Sequence, residues 1–327
     1  MTSKKLQNIT VLGMGGTIAG LAGDPNNPKE YIAGELGVAD LIKDLSHVNE
    51  LKLDILNVAQ INSKDMQVGH WQALLSSVQA AMGQAHTHAV VITHGTDTLE
   101  ETAYLLQAMG PWPKPLVLTC AMLPANAPHA DGPGNLKDAL NWASQAHHEG
   151  VFVVCAGKVH ASQDVQKITT ESVDAFTSGP EGCWATWVDG QWNIQSKSMS
   201  PTQLQPRPSL AYALAAKHWP RVEIVTNHAL NDGAVVRGLL ASSDSEETPL
   251  AGIVLAGTGM GTASQALEQA LQKAVNSGVR VWLSSRCIFG LAHAQANTHW
   301  GEITLLSAAK ARTALCLRLL AEKEHQS

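Results

Sequence analysis

The 327-residue chain carries little charge, and what it carries is not basic. Charged residues make up 15%, with Lys plus Arg at 22 against Asp plus Glu at 28, a formal net charge of −6. The basic excess that nucleic-acid binding requires is missing. So is any apolar run near the roughly 18 residues of a membrane helix. The polar N-terminus, Met1–Asn8, has no basic segment followed by a long apolar stretch, so no secretory signal is expected. Cysteine is scarce and odd in number, at positions 120, 155, 183, 287 and 316 without any CxxC spacing. This argues against a disulfide framework or a cysteine zinc site and for reduced thiols in a cytoplasmic protein. Compact ligand sets such as HExxH are also missing, so the 14 histidines, including His86, His88 and His94, do not suggest a metal.

What is present is apolar and alternating. Hydrophobic residues reach 45%, enough for a sizeable core and too many for a disordered chain. Short β-rich runs are expected at Ile9–Leu12, Leu53–Val58, Ala89–Thr93, Leu116–Thr119, Val151–Cys155, Glu223–Thr226, Ile253–Ala256 and Val279–Leu283. Several are continuously apolar, as strands covered on both faces must be. Helical periods fall between them at Leu99–Met109, Leu136–His147, Ser264–Asn276 and Ala308–Glu322. Alternating elements of this kind predict an α/β fold: a larger N-terminal domain with a mainly parallel sheet flanked by helices, and a smaller C-terminal α/β domain. The tract Ser198–Ser209 has three prolines and no period. It is read as part of a linker spanning 198–213, between an N-terminal domain at 1–197 and a C-terminal domain at 214–327. Nine tryptophans are expected mostly in the core or at a subunit interface.

Two strand exits carry the chemistry. In Ile9–Gly20, ITVLGMGGTIAG, an apolar strand runs into Gly13, Gly15, Gly16 and Thr17. The dinucleotide fingerprint fails because Ile18 stands where it needs a small residue, and no P-loop lysine is present. The bland reading is a tight turn in which glycine supplies positive φ. The functional reading is a turn that presents Thr17 at the carboxyl end of a strand, where open α/β sheets place ligands. In Ala89–Thr102, AVVITHGTDTLEET, the turn His94–Asp97 precedes a helix whose start is marked by a Thr98/Glu101 capping box. A cap would explain one polar residue there. It does not explain a further hydroxyl and a carboxylate in the same turn.

GMGGTIAG together with HGTDTLEET resembles the two signature motifs of the bacterial-type L-asparaginases and glutaminase-asparaginases. The similarity extends over the chain through QINSKDM (60–66), AMLPANAPHADGPGNL (121–136), DVQKITTESVDAF (164–176), GTGMGT (257–262) and SSR (284–286). The resemblance implies hydrolysis of L-asparagine to L-aspartate and ammonia, without metal or organic cofactor. Thr17 would attack the side-chain amide and form an acyl-enzyme ester, and Tyr31 would close over it on the Gly20–Gly34 loop. Lys167 would sit beside Thr96 as a buried amine able to accept a proton. Asp97 would hold the α-amino group, Ser63 the α-carboxylate, and Ala121 would supply backbone contacts near the amide. Active sites would form between the N-terminal domain of one subunit and the C-terminal domain of another, in a homodimer or homotetramer. A pocket that grips both α-groups measures the distance to the amide carbon. The extra methylene of glutamine displaces that carbon by roughly a bond length, and misplacement on that scale costs about a hundredfold.

The sequence departs from the family pattern at Met14, at Lys64 beside Ser63, at Met260 in GTGMGT, and in the acid-free segment Cys287–Trp300. These departures bear on glutamine more than on asparagine. Three alternatives stay open: an enzyme acting on both amides, a transfer-RNA amidase subunit, and a non-catalytic sensor of aspartate or asparagine. The last could dispense with Thr17 or Lys167; both are retained.

Overall fold

The computed structural model describes residues 7–43, 45, 51–145, 150–195, 206–243, 247–293 and 300–327. The chain divides into two units, Met1–Thr202 and Gln203–Ser327. In the first, strands β1 (Gln7–Gly15), β4 (Leu51–Ile61), β5 (Thr87–Thr93), β6 (Leu116–Thr119), β7 (Val151–Cys155), β8 (Lys158–Ala161), β11 (Ala185–Val188) and β12 (Gln191–Ile194) build one sheet. Its order is β12-β11-β8-β7-β6-β5-β1-β4. The five strands β4, β1, β5, β6 and β7 run parallel, and β8, β11 and β12 extend the sheet antiparallel.

Both faces are covered, which explains the continuously apolar runs. Ile9, Val11, Ala89, Val91, Val117, Phe152 and Val154 share a core with Val38 of helix α1 (Val38–Ile42) and with α4 (Gly132–Gln145), through Leu136, Ala139, Leu140 and Ala143. Val90, Ile92, Leu116 and Leu118, of the opposite parity, are equally buried. Helices α2 (Val68–Gly83) and α3 (Leu99–Met109) pack on β5 and β7 respectively, joined where Trp71 Nε1 donates to Thr102 Oγ1 at 3.0 Å. The antiparallel extension was not foreseen. Beside it four of the nine tryptophans, Trp142, Trp184, Trp187 and Trp192, meet one another and Phe152 edge to face at 5.0–5.7 Å between centroids.

The connectivity fixes where a ligand can bind. β1 steps to β4 on one side, and the chain then returns over α2 to β5 on the other. The switch point therefore lies between the carboxyl ends of β1 and β5, where Gly13 pairs with Thr93. Open α/β sheets bind ligands at such a crevice because successive loops there diverge to opposite faces. Two small antiparallel pairs border this edge. One joins β2 (Leu21–Ala22) to β3 (Tyr31–Ile32), so the Gly20–Gly34 loop is a hairpin. The other joins β9 (Gln166–Lys167) to β10 (Phe176–Thr177).

The second unit is a smaller parallel sheet in the order β13 (Arg221–Thr226), β14 (Leu250–Gly257), β15 (Arg280–Ser285) and β16 (Glu302–Ile303). Helices α6 (Ala234–Ser243) and α7 (Gln265–Asn276) share a core with Val225, Ile253, Leu255, Val281 and Leu283. α8 (Ala308–Glu324) packs on β13 to β15. The predicted linker lies outside the described residues as far as 205. Its end is not irregular, for the helix α5 (Leu210–Ala215) begins there, capped by Ser209 Oγ accepting from Tyr212 N–H at 3.1 Å. No helix among the described residues is long and apolar enough to cross a membrane.

Candidate active site

The two glycine-containing turns are pressed together. Gly16 has φ +81°, and a Cβ there would stand 2.3 Å from the Gly95 Cα. A Cβ on Gly95 would lie 2.5 Å from Ser63 Oγ. Glycine is required at Gly16 because backbone approaches backbone at a left-handed φ, and at Gly95 because the buried Ser63 side chain leaves no room for a Cβ. Gly16 N–H donates to Ile61 O at 2.8 Å, bringing the Ser63 segment alongside. Ile18 and Ala19 pack against Ala121. Segments distant in sequence thus converge on one crevice, with Thr17, Ser63, Thr96 and Ala121 all buried.

The structure places Tyr31 beside Thr17. The two hydroxyls lie 2.7 Å apart. The hairpin carrying Tyr31 is tied at its base to the segment after Ala121. Asn126 accepts from Ala22 N–H and donates to Ala22 O, both at 2.8 Å, and Ala125 N–H donates to Gly20 O at 2.9 Å.

Lys167 reaches Thr96 from 71 residues away. Its Nζ donates to Thr96 Oγ1 and to Asp97 Oδ1, each at 2.8 Å. The amine expected to be buried is only partly so: the Lys167 side chain is 21% exposed and forms an ion pair with Asp97. A carboxylate beside an ammonium offsets the desolvation that a lone buried lysine would suffer. Because Nζ donates to the Thr96 oxygen, the Thr96 hydroxyl proton points away from the lysine and is free for another acceptor.

The capping box needs a second correction. Thr98 is the residue before α3, but its side chain makes no cap bond; Thr98 Oγ1 donates to Ser63 O at 2.8 Å. The hydroxyl is used between segments because the Ser63 turn lies directly against it. His94, fully buried, presents Nδ1 2.7 Å from Gly95 O. A carbonyl only accepts, so Nδ1 carries the proton. Burial pushes this imidazole down to about 4, against a smaller opposing effect of the bond to Gly95. The ring is therefore neutral at neutral pH.

Residues that sequence reasoning missed fix the Ala121 turn. Asp131 accepts from Met122 N–H at 2.9 Å and Leu123 N–H at 2.9 Å. Asn135 donates to Cys120 O at 2.9 Å and accepts from Ala156 N–H at 2.8 Å. Their only sequence signal was a run of small and polar residues before α4. Of the departures, Met14 is buried under the first turn, and Lys64 points outward to Asp65 at 2.7 Å. Part of Cys287–Trp300, residues 294–299, lies outside the described residues. Among the described residues no group of three or more His, Cys, Asp or Glu could hold a metal.

The first unit is thus an α/β sheet with two threonine turns at its switch point, Thr17 beside Tyr31 and Thr96 beside Lys167 and Asp97. Two family models match the chain, "Asparaginase, N-terminal" over residues 8–200 and "Glutaminase/Asparaginase C-terminal domain" over 221–327. L-asparaginase 2 of Escherichia coli K12 is 33% identical over 333 residues, covering 98% of this chain and 91% of that protein. The glutaminase-asparaginase of Pseudomonas fluorescens biotype A is 31% identical over 87% of this chain and 76% of its own. A crystal structure of a probable cytoplasmic L-asparaginase from Campylobacter jejuni superposes with a TM-score of 0.87 at 29% identity, covering 98% of both chains. The chain belongs to the asparaginase family.

Proposed function

We propose that the protein hydrolyses L-asparagine to L-aspartate and ammonia through an ester on Thr17. The observation that carries this reading is the Lys167–Thr96–Asp97 cluster beside the Thr17–Tyr31 pair. Asp97 and Ser63 hold the α-amino and α-carboxylate groups, each charge-assisted contact contributing roughly 1.5–3 kcal/mol. The Thr17 hydroxyl passes its proton toward Tyr31 as its oxygen attacks the amide carbon, since an unassisted hydroxyl is a poor nucleophile. Backbone near Ala121 faces the amide. The leaving nitrogen takes up the proton released by Thr17, returned through the Tyr31 hydroxyl, and departs as ammonia as the C–N bond breaks. Water, oriented by Thr96, then attacks the ester carbon; one of its protons is passed through Thr96 and Lys167 to the departing Thr17 oxygen, which restores the hydroxyl as the ester bond breaks. The hairpin carrying Tyr31 acts as the cover that excludes bulk water.

Further parts of the reading are a cytoplasmic location and assembly as a homodimer or homotetramer, with another copy of the chain as the only macromolecular partner. Light scattering on purified protein decides the assembly. Ammonia release from asparagine tests the activity. Thr17→Ala, Thr96→Ala and Lys167→Met should each stop it with the fold intact; near-normal turnover by Thr17→Ala removes the nucleophile assignment. The similarity to a glutaminase-asparaginase supports the second reading, action on both amides. Comparable kcat/KM on glutamine and asparagine would favour it. Tight asparagine binding in calorimetry without product would instead indicate a sensor.

A further inference from the structure

The first turn of α3 departs from ordinary helix-start behaviour in two ways. Thr98, at the cap position, turns its hydroxyl away from the helix and donates it to Ser63 O at 2.8 Å. Glu100, two residues on and buried, accepts the backbone N–H of Lys167 on Oε2 at 2.9 Å. A cap hydroxyl normally accepts from the helix's own first N–H groups and stabilises it. Here it is spent on a neighbouring segment. Each bond ends on the main chain of a residue whose side chain enters the crevice: Ser63, buried against Gly95, and Lys167, on Thr96.

We propose that this turn is a positioning clamp, in which Glu100 sets Lys167 for the proton-transfer step and Thr98 sets Ser63 for the substrate α-carboxylate. Thr96 and Asp97 immediately precede the same turn, so one rigid element fixes all four side chains relative to one another. β9, which carries Lys167, is a two-residue strand paired only with the short β10. Such a strand has few backbone bonds with which to set a lysine to sub-ångström precision, and the Glu100 carboxylate supplies one more. A carboxylate is also favoured at this end of a helix by the axial dipole.

The clamp rests on the proposed activity and makes its own kinetic prediction: its two arms separate into kcat and KM. Glu100→Ala should lower kcat on asparagine about a hundredfold, the usual cost of misplacing a catalytic group by an ångström, with KM little changed. Glu100→Gln keeps an oxygen acceptor and should restore kcat to within about threefold of the parent. Thr98→Val keeps shape but not the donor and should raise KM about tenfold with kcat nearly constant, and Thr98→Ser should reverse this. Circular dichroism and thermal unfolding confirm the fold of each. If Glu100→Ala fails to fold, the Gln variant decides: folded with kcat retained supports the clamp, folded with kcat lost overturns it. A Glu100→Ala effect confined to KM, or a Thr98→Val effect confined to kcat, overturns it as well. Lys167→Met separates the two levels. If it is inactive while Glu100→Ala is normal, only the clamp falls; if it is active, the proposed function and the clamp fall together.

Discussion

At the end of β1, Thr17 meets the hydroxyl of Tyr31, which arrives on a hairpin of two-residue strands with Ile32 largely exposed beside it. At the end of β5, Thr96 follows the buried His94, receives a bond from Lys167 and leads into a helix whose first turn binds two further segments. One threonine is served by a partner on a small flap, the other by a lysine whose backbone is tied to Glu100 in the first turn of a largely buried helix. On the proposed function, the difference corresponds to a division of labour between a group covered when substrate arrives and a group already in place. Preorganised polar groups need no reordering during reaction, whereas a lid must open for exchange.

The sharpest way to break this comparison is to force the two turns apart. Gly16→Ala places a methyl against the Gly95 backbone at positive φ, where neither side can yield. Turnover should fall at least about a hundredfold, and a lower midpoint in thermal unfolding should accompany it. Unchanged activity would mean that the turns are not coupled through this contact.

Tyr31→Phe is next. It removes the hydroxyl at 2.7 Å and leaves the ring. A loss of kcat of roughly a hundredfold, in the range of general acid–base assistance, is expected with almost no change in melting temperature. A large stability change would show that the flap is part of the core after all.

The Thr96 side has a pH signature of its own. His94 has a folded pKa of about 4, below its ordinary 6.5. Above 6.5 both states are neutral and the contribution is complete. As pH falls through 6.5 the unfolded chain takes up a proton that the folded protein refuses, so stability is lost down to about 4. The loss attributable to this ring is on the order of 3 kcal/mol. Urea unfolding across this range, compared with His94→Gln, isolates it; parallel curves for the two proteins would refute the assignment.

The smallest effect is expected at the rim of the flap. Lys29 and Glu171 form an exposed pair at 3.2 Å. Lys29→Ala should change stability by less than about 0.5 kcal/mol in denaturant titrations. A larger change would place the flap under tighter control than its contacts suggest.

Much of the first unit was legible from sequence. Leu99–Met109, Leu116–Thr119 and Val151–Cys155 fall where their apolar runs and the Gly110 stop place them. Helix α2 escaped notice because its apolar residues, Trp71, Leu74, Leu75 and Val78, are mixed with Ala and Gln and frame no strong stripe. β8, β11 and β12 are short, with polar residues interspersed, and resemble loop until a neighbouring strand supplies their hydrogen bonds. Thr17, Thr96 and Asp97 stand out in the sequence because their turns concentrate glycine, hydroxyl and carboxylate residues, whereas Ser63 is singled out only through family resemblance. Lys167 was readable only through family resemblance, since a lysine after Val-Gln looks like any surface lysine.

Local patterning determined the alternation of strands and helices and the two strand exits, because periodicity and turn chemistry act over a few residues. Tertiary structure alone decided that Gly16 would abut Gly95, that Thr98 would bond to Ser63 in place of its own helix, and that Glu100 would hold Lys167. Those contacts join residues 35 to 79 positions apart in the chain. Nothing in a short window encodes them; the order of strands around the switch point does, by bringing separate turns to one edge of the sheet.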